Sequence, residues 1–352
     1  MPKEIEEVLE KILNNGFEAF IVGGFVRDYL LNKKTNDIDI ATNALPKDLV
    51  TIFGPSRKND IYGSYHLSVS SYNIDITTYR KEEYKDNELY ITYSDNLIND
   101  SLRRDFTINA LYMNKDGSII DLYDGKKDLD NHILKMIGNP RVRLKEDPIR
   151  ILRAVRFVAT YNLKLDKNLK HSIEKEKHNL SNISIYKIRK ELDMILLANG
   201  FPILKSLGLL KVLGILNDKI IYINDISGLW SQIKTTKEYI YEKELKNHQK
   251  NINTLLKCDT ISMHDLYKYG YYICMVTCKL KNIKLAYLDN LYKKMPIHKR
   301  SDIIITPQEI IDTFNIKGKD LGILLNDLEI AILDNKIDNN KEDIIKYIEE
   351  RR

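Results

Sequence analysis

A chain of 352 residues can bury more than one hydrophobic core, so two or three domains are expected. Hydrophobic residues make up 43% and charged residues 30%, an ordinary balance for a folded protein, and no apolar run approaches the about 18 residues of a membrane span. The formal net charge of +5 is compatible with an RNA or DNA partner without demanding one, and the three cysteines (Cys258, Cys274, Cys278) make neither a disulfide framework nor a zinc site.

The opening segment MPKEIEEVLEKILNNG reads as an amphipathic helix with an acidic face, closed by Gly16. It lacks the basic-then-apolar order of a secretory leader, and a reducing, cytoplasmic setting is expected. From Phe20 to about Leu122 short β-like runs alternate with helices. The runs are Ala19–Val22, Asp37–Ile40, Tyr65–Ser71, Asn73–Tyr79, Ile108–Met113 and Ile119–Asp121. Helices are predicted over Phe25–Leu31 and over Pro46–Phe53, where Pro46 suits a first helical position. The pattern is that of an α+β domain with a mixed or antiparallel sheet. Tyr84–Asp100 is polar, dotted with aromatics and without periodicity, and is predicted to be a long loop. Beyond Pro140 the chain turns helical, with Ile149, Leu152, Val155 and Val158 at helical spacing over 147–161. Further helices are expected at about 167–178, 184–198 and 201–212, followed by Lys/Asn-rich helices to the end.

Two sets of residues in this frame carry chemistry. Gly23-Gly24 closes the first strand, and Asp37 and Asp39 follow on the next. Residues i and i+2 of a strand share a face, with Cα atoms about 6–7 Å apart, so the two carboxylates can converge on a hard cation such as Mg²⁺. The alternative is a plain turn and the wet face of an edge strand. Gly-x-Gly-x-x-Gly and Gly-Lys-Ser/Thr are both missing here, so a dinucleotide fold and a Walker-type loop are weak candidates. Asp147, Arg150, Arg153 and Arg156 recur in steps of three along one side of a helix. Such a line of cations is either a solvated stripe or a seat for phosphates. Asp147 with Arg150 also pairs an acceptor with a donor, which suits the edge of a base. Arg103-Arg104-Asp105 is open between scaffolding and contact with a ribose or triphosphate. His264-Asp265 reads as an ordinary surface or capping pair.

Taken in order, GGFVRD…DIDIAT, NIDITTYR, RRDFTINALYM, DLYDGKKDL and KEDPIRILRAVRF resemble the consecutive motifs of the bacterial-type (class II) tRNA nucleotidyltransferase/poly(A) polymerase family, over roughly residues 15–200. The resemblance implies a nucleotidyltransferase head with a mixed β-sheet (1–140), a helical neck with the nucleotide-selecting helix (141–200), and a helical, tRNA-binding body and tail (201–352). It implies addition of the 3′-terminal CCA to tRNA from CTP and ATP, by two-metal transfer without a nucleic-acid template. Asp37 and Asp39 would hold Mg²⁺, with Asp75 as third catalytic carboxylate. Gly24 and Arg27 would contact the triphosphate and Arg104 the sugar, while Asp147 and Arg150 select the base and Arg153 and Arg156 support the pocket. No membrane and no obligate protein partner enter this scheme. The Asp121–Gly125 turn would belong to a hinge. After Tyr79-Arg80 the family carries an Asp-x-Arg-Arg-Pro-like segment, where this chain has Asp86-Asn87-Glu88-Leu89-Tyr90. CC addition alone, poly(A) addition and a non-catalytic RNA-binding protein on the same scaffold are the alternatives.

Overall fold

The structure, a computed structural model, describes residues 1–55, 64–85, 88–239 and 242–351. The chain forms two compact units, Met1–Ile215 with Thr236–Glu238, and Leu216–Thr235 with Tyr239–Arg352.

The first unit opens with helix α1 (Lys3–Asn14), then alternates β1 (Ala19–Val22), α2 (Gly24–Leu30), β2 (Asp37–Thr42), α3 (Pro46–Phe53), β3 (Ser64–Val69) and β4 (Tyr72–Thr78). β5 (Arg80–Lys85), β6 (Glu88–Tyr93), α4 (Leu97–Arg103), β7 (Leu111–Met113), β8 (Ile119–Asp121) and α5 (Gly125–Asp130) follow. Six strands make one mixed sheet in the order β3-β4-β2-β1-β7-β8, in which β2 and β4 run parallel and the other pairs antiparallel. The period of two along β2 decides what each face does. Ile38 and Ile40 turn into a core built with Ile5, Leu9 and Ile12 of α1 and Ile74 and Ile76 of β4. Asp37 and Asp39 turn to the opposite face, shared with Ala41.

Short β9 (Ile133–Leu134) and helices α6 (Pro140–Glu146) and α7 (Ile149–Tyr161) come next, then β10 (Lys164–Leu165), α8 (Lys167–Glu176), α9 (Ile185–Leu197) and α10 (Phe201–Ser206). The starts of α6, α8 and α9 are capped as the sequence dictates. Asn139 accepts from the Arg141 amide ahead of Pro140, Asp166 from Asn168 and Ser184 from Lys187. The second unit is helical: α11 (Ile226–Gln232), α12 (Lys243–Leu255), α13 (Met263–Leu280), α14 (Leu285–Lys294), α15 (Pro307–Phe314), α16 (Gly318–Leu333) and α17 (Lys341–Glu349). The α+β head followed by helices is the fold class read from the sequence.

Several elements differ from that reading. Tyr84–Asp100 is not a long loop: β5 and β6 pair antiparallel from Arg80↔Tyr93 to Lys85↔Glu88, and α4 follows, its first turn capped by Asn96. Asp86 and Asn87, at the altered segment, lie outside the described residues. Ile108–Met113 is not one strand, because Thr107–Asn109 forms a turn of 3₁₀ helix before β7. The helix expected over 201–212 stops at Ser206, with Gly208 in the left-handed region two residues on. His264 and Asp265 have the ordinary roles expected of them: Asp265 closes a capping box with Ser262, and His264 pairs with Asp334.

Candidate active site

The strand register puts the acidic residues side by side. Asp39 on β2 is paired with Val22 on one side and Asp75 on the other, and Asp37 is paired with Asn73. Gly23 follows Val22 with φ +74, and a Cβ added there would lie 3.1 Å from Asp39 Oδ2. Glycine is therefore required twice over, for its backbone conformation and for the close approach of a carboxylate. Asp39 is reachable by solvent, yet its carboxyl is pushed above the usual range by the protein packed around it. Arg104 works against that shift, while the negative charges of Asp75 and Asp37 add to it.

Among the described residues no three Asp, Glu, His or Cys side chains are gathered into a ready-made metal centre. The row still fits a divalent cation. Negative charges gathered on neighbouring strands are relieved by a cation, and oxygen donors suit hard ions.

Beside Asp39 opens a cavity of about 550 Å³ lined by seven of the residues predicted from sequence: Gly24, Arg27, Arg104, Asp147, Arg150, Arg153 and Arg156. Asp39 lines it too; Asp37 and Asp75 do not. Its arginines are held by the protein itself. Arg27 is 5% exposed, donates to Asn109 Oδ1 at 2.6 Å and to the Tyr161 hydroxyl, and lies 4.2 Å from the Tyr161 ring centre. Arg104 reaches Asp100 Oδ2 at 2.8 Å and the Tyr112 hydroxyl at 2.9 Å. Asp100 is fully buried; burial opposes its charge, but Arg104, Arg103 and Tyr112 prevail and hold its carboxyl below the usual range. Arg153 puts two nitrogens on Asp105 Oδ2, at 2.8 and 2.6 Å. Arg156 forms an ion pair with Glu191 of α9 at 2.9 Å. The guanidinium groups of Arg27, Arg153 and Arg156 all lie within 5.7 Å of the Phe157 ring centre. The arginine line is thus neither a solvated stripe nor a bare cationic groove.

Asp147 sits at the junction of α6 and α7, where the sequence explains its pose. Pro148 denies helical geometry to the residue before it, and Asp147 is extended, φ −141 and ψ 91. Its carboxylate leaves the helix and stands 3.8 Å from the Arg150 Nε, while Arg150 Nη1 donates to the Arg143 carbonyl at 3.1 Å. Acceptor and donor face one cavity. Asp121, in the expected hinge turn, accepts from the amides of Tyr123, Gly125 and Lys126.

Arg103, weighed in the sequence beside Arg104, lines the cavity too, and so do Asn109, Phe157, Tyr161 and Arg80, which were not singled out from sequence. Asn109 stands inside RRDFTINALYM and could have been found there; Tyr161 closes α7 and carries no local signal.

The family model of the poly A polymerase head domain matches residues 19–135, and that of the putative domain 2 of tRNA nucleotidyltransferase matches 242–348. The CCA-adding enzyme of Lactobacillus johnsonii is 32% identical, covering 97% of this chain and 95% of the relative. That of Lactococcus lactis subsp. cremoris is 31% identical, over 99% and 97%. Among solved structures, the Bacillus stearothermophilus CCA-adding enzyme in complex with CTP matches with a TM-score of 0.84 at 21% identity, over 100% of this chain and 98% of that one. The Thermotoga maritima CCA-adding enzyme complexed with tRNA matches with a TM-score of 0.65 at 18% identity, over 100% and 97%. At those identities the structural likeness concerns the fold.

Proposed function

Because this chain belongs to the family of CCA-adding enzymes, we propose an assignment of its residues to the steps of that reaction. The protein adds the terminal CCA to the 3′ end of tRNA, taking CTP and ATP as substrates. In each step the RNA's 3′ oxygen bonds to the α-phosphorus, the bridge to the β-phosphate breaks, pyrophosphate leaves, and the hydroxyl proton passes to a base.

The family's transfer chemistry uses a divalent metal. Asp37 and Asp39 would hold it, and Mg²⁺ is the ion that their oxygen donors fit. When bound, it lowers the pKa of the attacking hydroxyl and offsets charge on the leaving oxygen. Asp75, the third carboxylate, orients the hydroxyl and receives its proton. Gly24 brings backbone close to the triphosphate, which Arg27 grips, and Arg104 reaches the sugar. Asn109 and Tyr161 hold Arg27 in one pose before substrate arrives, so little reorganisation remains for the reaction. Arg153 and Arg156, anchored on Asp105 and Glu191, support the pocket walls.

Asp147 and Arg150 take the place of a template, the carboxylate accepting from an exocyclic amine and the guanidinium donating to ring nitrogen or carbonyl. The observation that carries this reading is that these two side chains open into the same cavity as Asp39 and Gly24. We assign residues 1–140 to the catalytic head, 141–200 to the neck that bears the base-reading pair, and 201–352 to body and tail on the tRNA. The work belongs in the cytoplasm, where tRNA is finished.

Incorporation of all four nucleotides onto tRNA lacking its terminus tests the base-reading pair. Arg150→Ala and Asp147→Ala are each expected to lose about 10–100-fold of the preference for CTP over UTP, the value of one good base contact. Unchanged preference in both variants would overturn the assignment. In the wild type, CTP and ATP together should give three added nucleotides ending in A.

A further inference from the structure

Three directly paired register positions run across the sheet: His66 on β3, Asp75 on β4 and Asp39 on β2. Paired positions share a face, and each strand-to-strand step is about 4.8 Å, so these residues form a row from the sheet's edge towards Gly23. His66 Nδ1 is hydrogen-bonded to Asp75 Oδ1. A carboxylate only accepts, so Nδ1 carries the proton. Among the described residues this is the hydrogen bond that the Asp75 side chain has.

That bond matters because Asp75 has little else to fix it. Its side chain is 51% exposed, and its paired neighbour Asp39 carries the same charge. A half-exposed carboxylate repelled by its neighbour would otherwise sample several rotamers, and a catalytic group must hold one. His66 is better fixed, with a side chain 29% exposed on a strand paired along its whole length with β4. The members of the row also border different cavities. Asp39 borders the arginine cavity, whereas Asp75 and His66 border another of about 570 Å³ at the β3 edge, which Phe53, Pro55, Tyr65 and Leu67 also line. In-line displacement needs the attacking hydroxyl on the side of the α-phosphorus away from the leaving pyrophosphate. Asp75 borders the second cavity and not the first, as a group serving the hydroxyl rather than the triphosphate would.

We propose that His66 is a positioning residue for the transfer reaction, its Nδ1–H holding Asp75 Oδ1 so that Oδ2 is left for the RNA's 3′-hydroxyl. The inference rests on the assignment of Asp75 made above. It separates two jobs across one sheet: β2 serves the nucleotide, and the β3–β4 edge serves the incoming RNA end.

Single-turnover addition of one C to tRNA ending at the discriminator base, with CTP titrated, tests it in His66→Leu, His66→Asn, Asp75→Asn and the His66→Leu/Asp75→Asn double variant. His66→Leu should lower the maximal rate about 10–100-fold with an unchanged KM for CTP, the usual cost of losing an orienting partner. His66→Asn, whose amide nitrogen can replace Nδ1, should return within about threefold of wild type, and the double variant should be no slower than Asp75→Asn alone. Should His66→Leu melt early, His66→Thr, β-branched and too short to reach Asp75, gives the same reading. In the protein free of nucleotide and metal, the imidazole nitrogen resonances of His66 should move on Asp75→Asn. A wild-type rate in His66→Leu or His66→Thr beside an inactive Asp75→Asn overturns the role of His66 alone. A wild-type rate in Asp75→Asn removes the assignment of Asp75 first, and the two failures are thereby told apart.

Discussion

Asp105 lines the arginine cavity while 8% exposed, and its charge survives that burial. Desolvation pushes the carboxyl pKa up, but Arg153, the Asn109 amide and the Phe106 N–H outweigh it and hold the group at about 2. A folded-state pKa below the unfolded one contributes stability that is present above the unfolded pKa, near 3.9, and is lost as pH falls through about 2. Asp105→Asn should therefore cost about 3 kcal/mol at neutral pH, where Arg153 loses its buried partner. The gap between wild type and variant should narrow between about pH 4 and pH 2. Urea melts across that range measure it, and a pH-independent gap would contradict the ion-pair account. The sequence left Arg104 and Asp105 open between scaffold and site; both are held in ion pairs, with Asp100 and Arg153, and both line the cavity. Spacing along one helix brought Arg150, Arg153 and Arg156 together correctly. It could not reveal that Asp105 and Glu191, each more than thirty residues away from its partner, neutralise two of them.

At the scale of the element, the β5–β6 hairpin shows why periodicity failed. Alternation was sought in apolar residues, but one face of β5 carries Arg80, which lines the cavity, with Glu82 and Tyr84. Glu82 accepts from Arg80 Nε at 2.9 Å and stands 3.9 Å from Arg103, itself bonded to Asp100. Tyr84 is near enough to Asp147 that, after burial, this carboxylate is the chief cause of its raised phenol pKa. Charge and aromatic surface replace the greasy alternation by which half-buried strands are normally read. Because Glu82 serves arginines of two elements, Glu82→Ala should loosen the hairpin locally. Amide exchange over Glu88–Tyr93 should quicken by about tenfold or more, roughly the loss of one charged hydrogen bond, while β1, β2 and β4 exchange as before. Equal acceleration in the central sheet would deny the hairpin this separate anchoring. The strands that were legible, β1, β2, β3, β4 and β8, are those that send apolar side chains such as Ile21, Ile38, Leu67, Ile74 and Ile119 into the core.

For the whole molecule, the five quoted segments located the head and its cavity, but nothing in the Lys/Asn-rich stretch beyond 201 marked which residues meet RNA. Phosphate contacts of that kind are set by surface position, which local sequence does not encode. They are nonetheless measurable. tRNA affinity should fall at least about tenfold between 50 and 200 mM salt as counterions are released, and an affinity indifferent to salt would count against backbone contact. The division of the chain was equally hidden. Its two units are not consecutive stretches, since Thr236–Glu238 belongs to the first although Leu216–Thr235 belongs to the second. Thr236 returns to donate its N–H to the Gly214 carbonyl at 2.8 Å. On the ribosome, where residues emerge in order, the first unit cannot make that bond when Ile215 appears. It must wait until the opening segment of its neighbour has been synthesised, so the birth of one unit is threaded through that of the other.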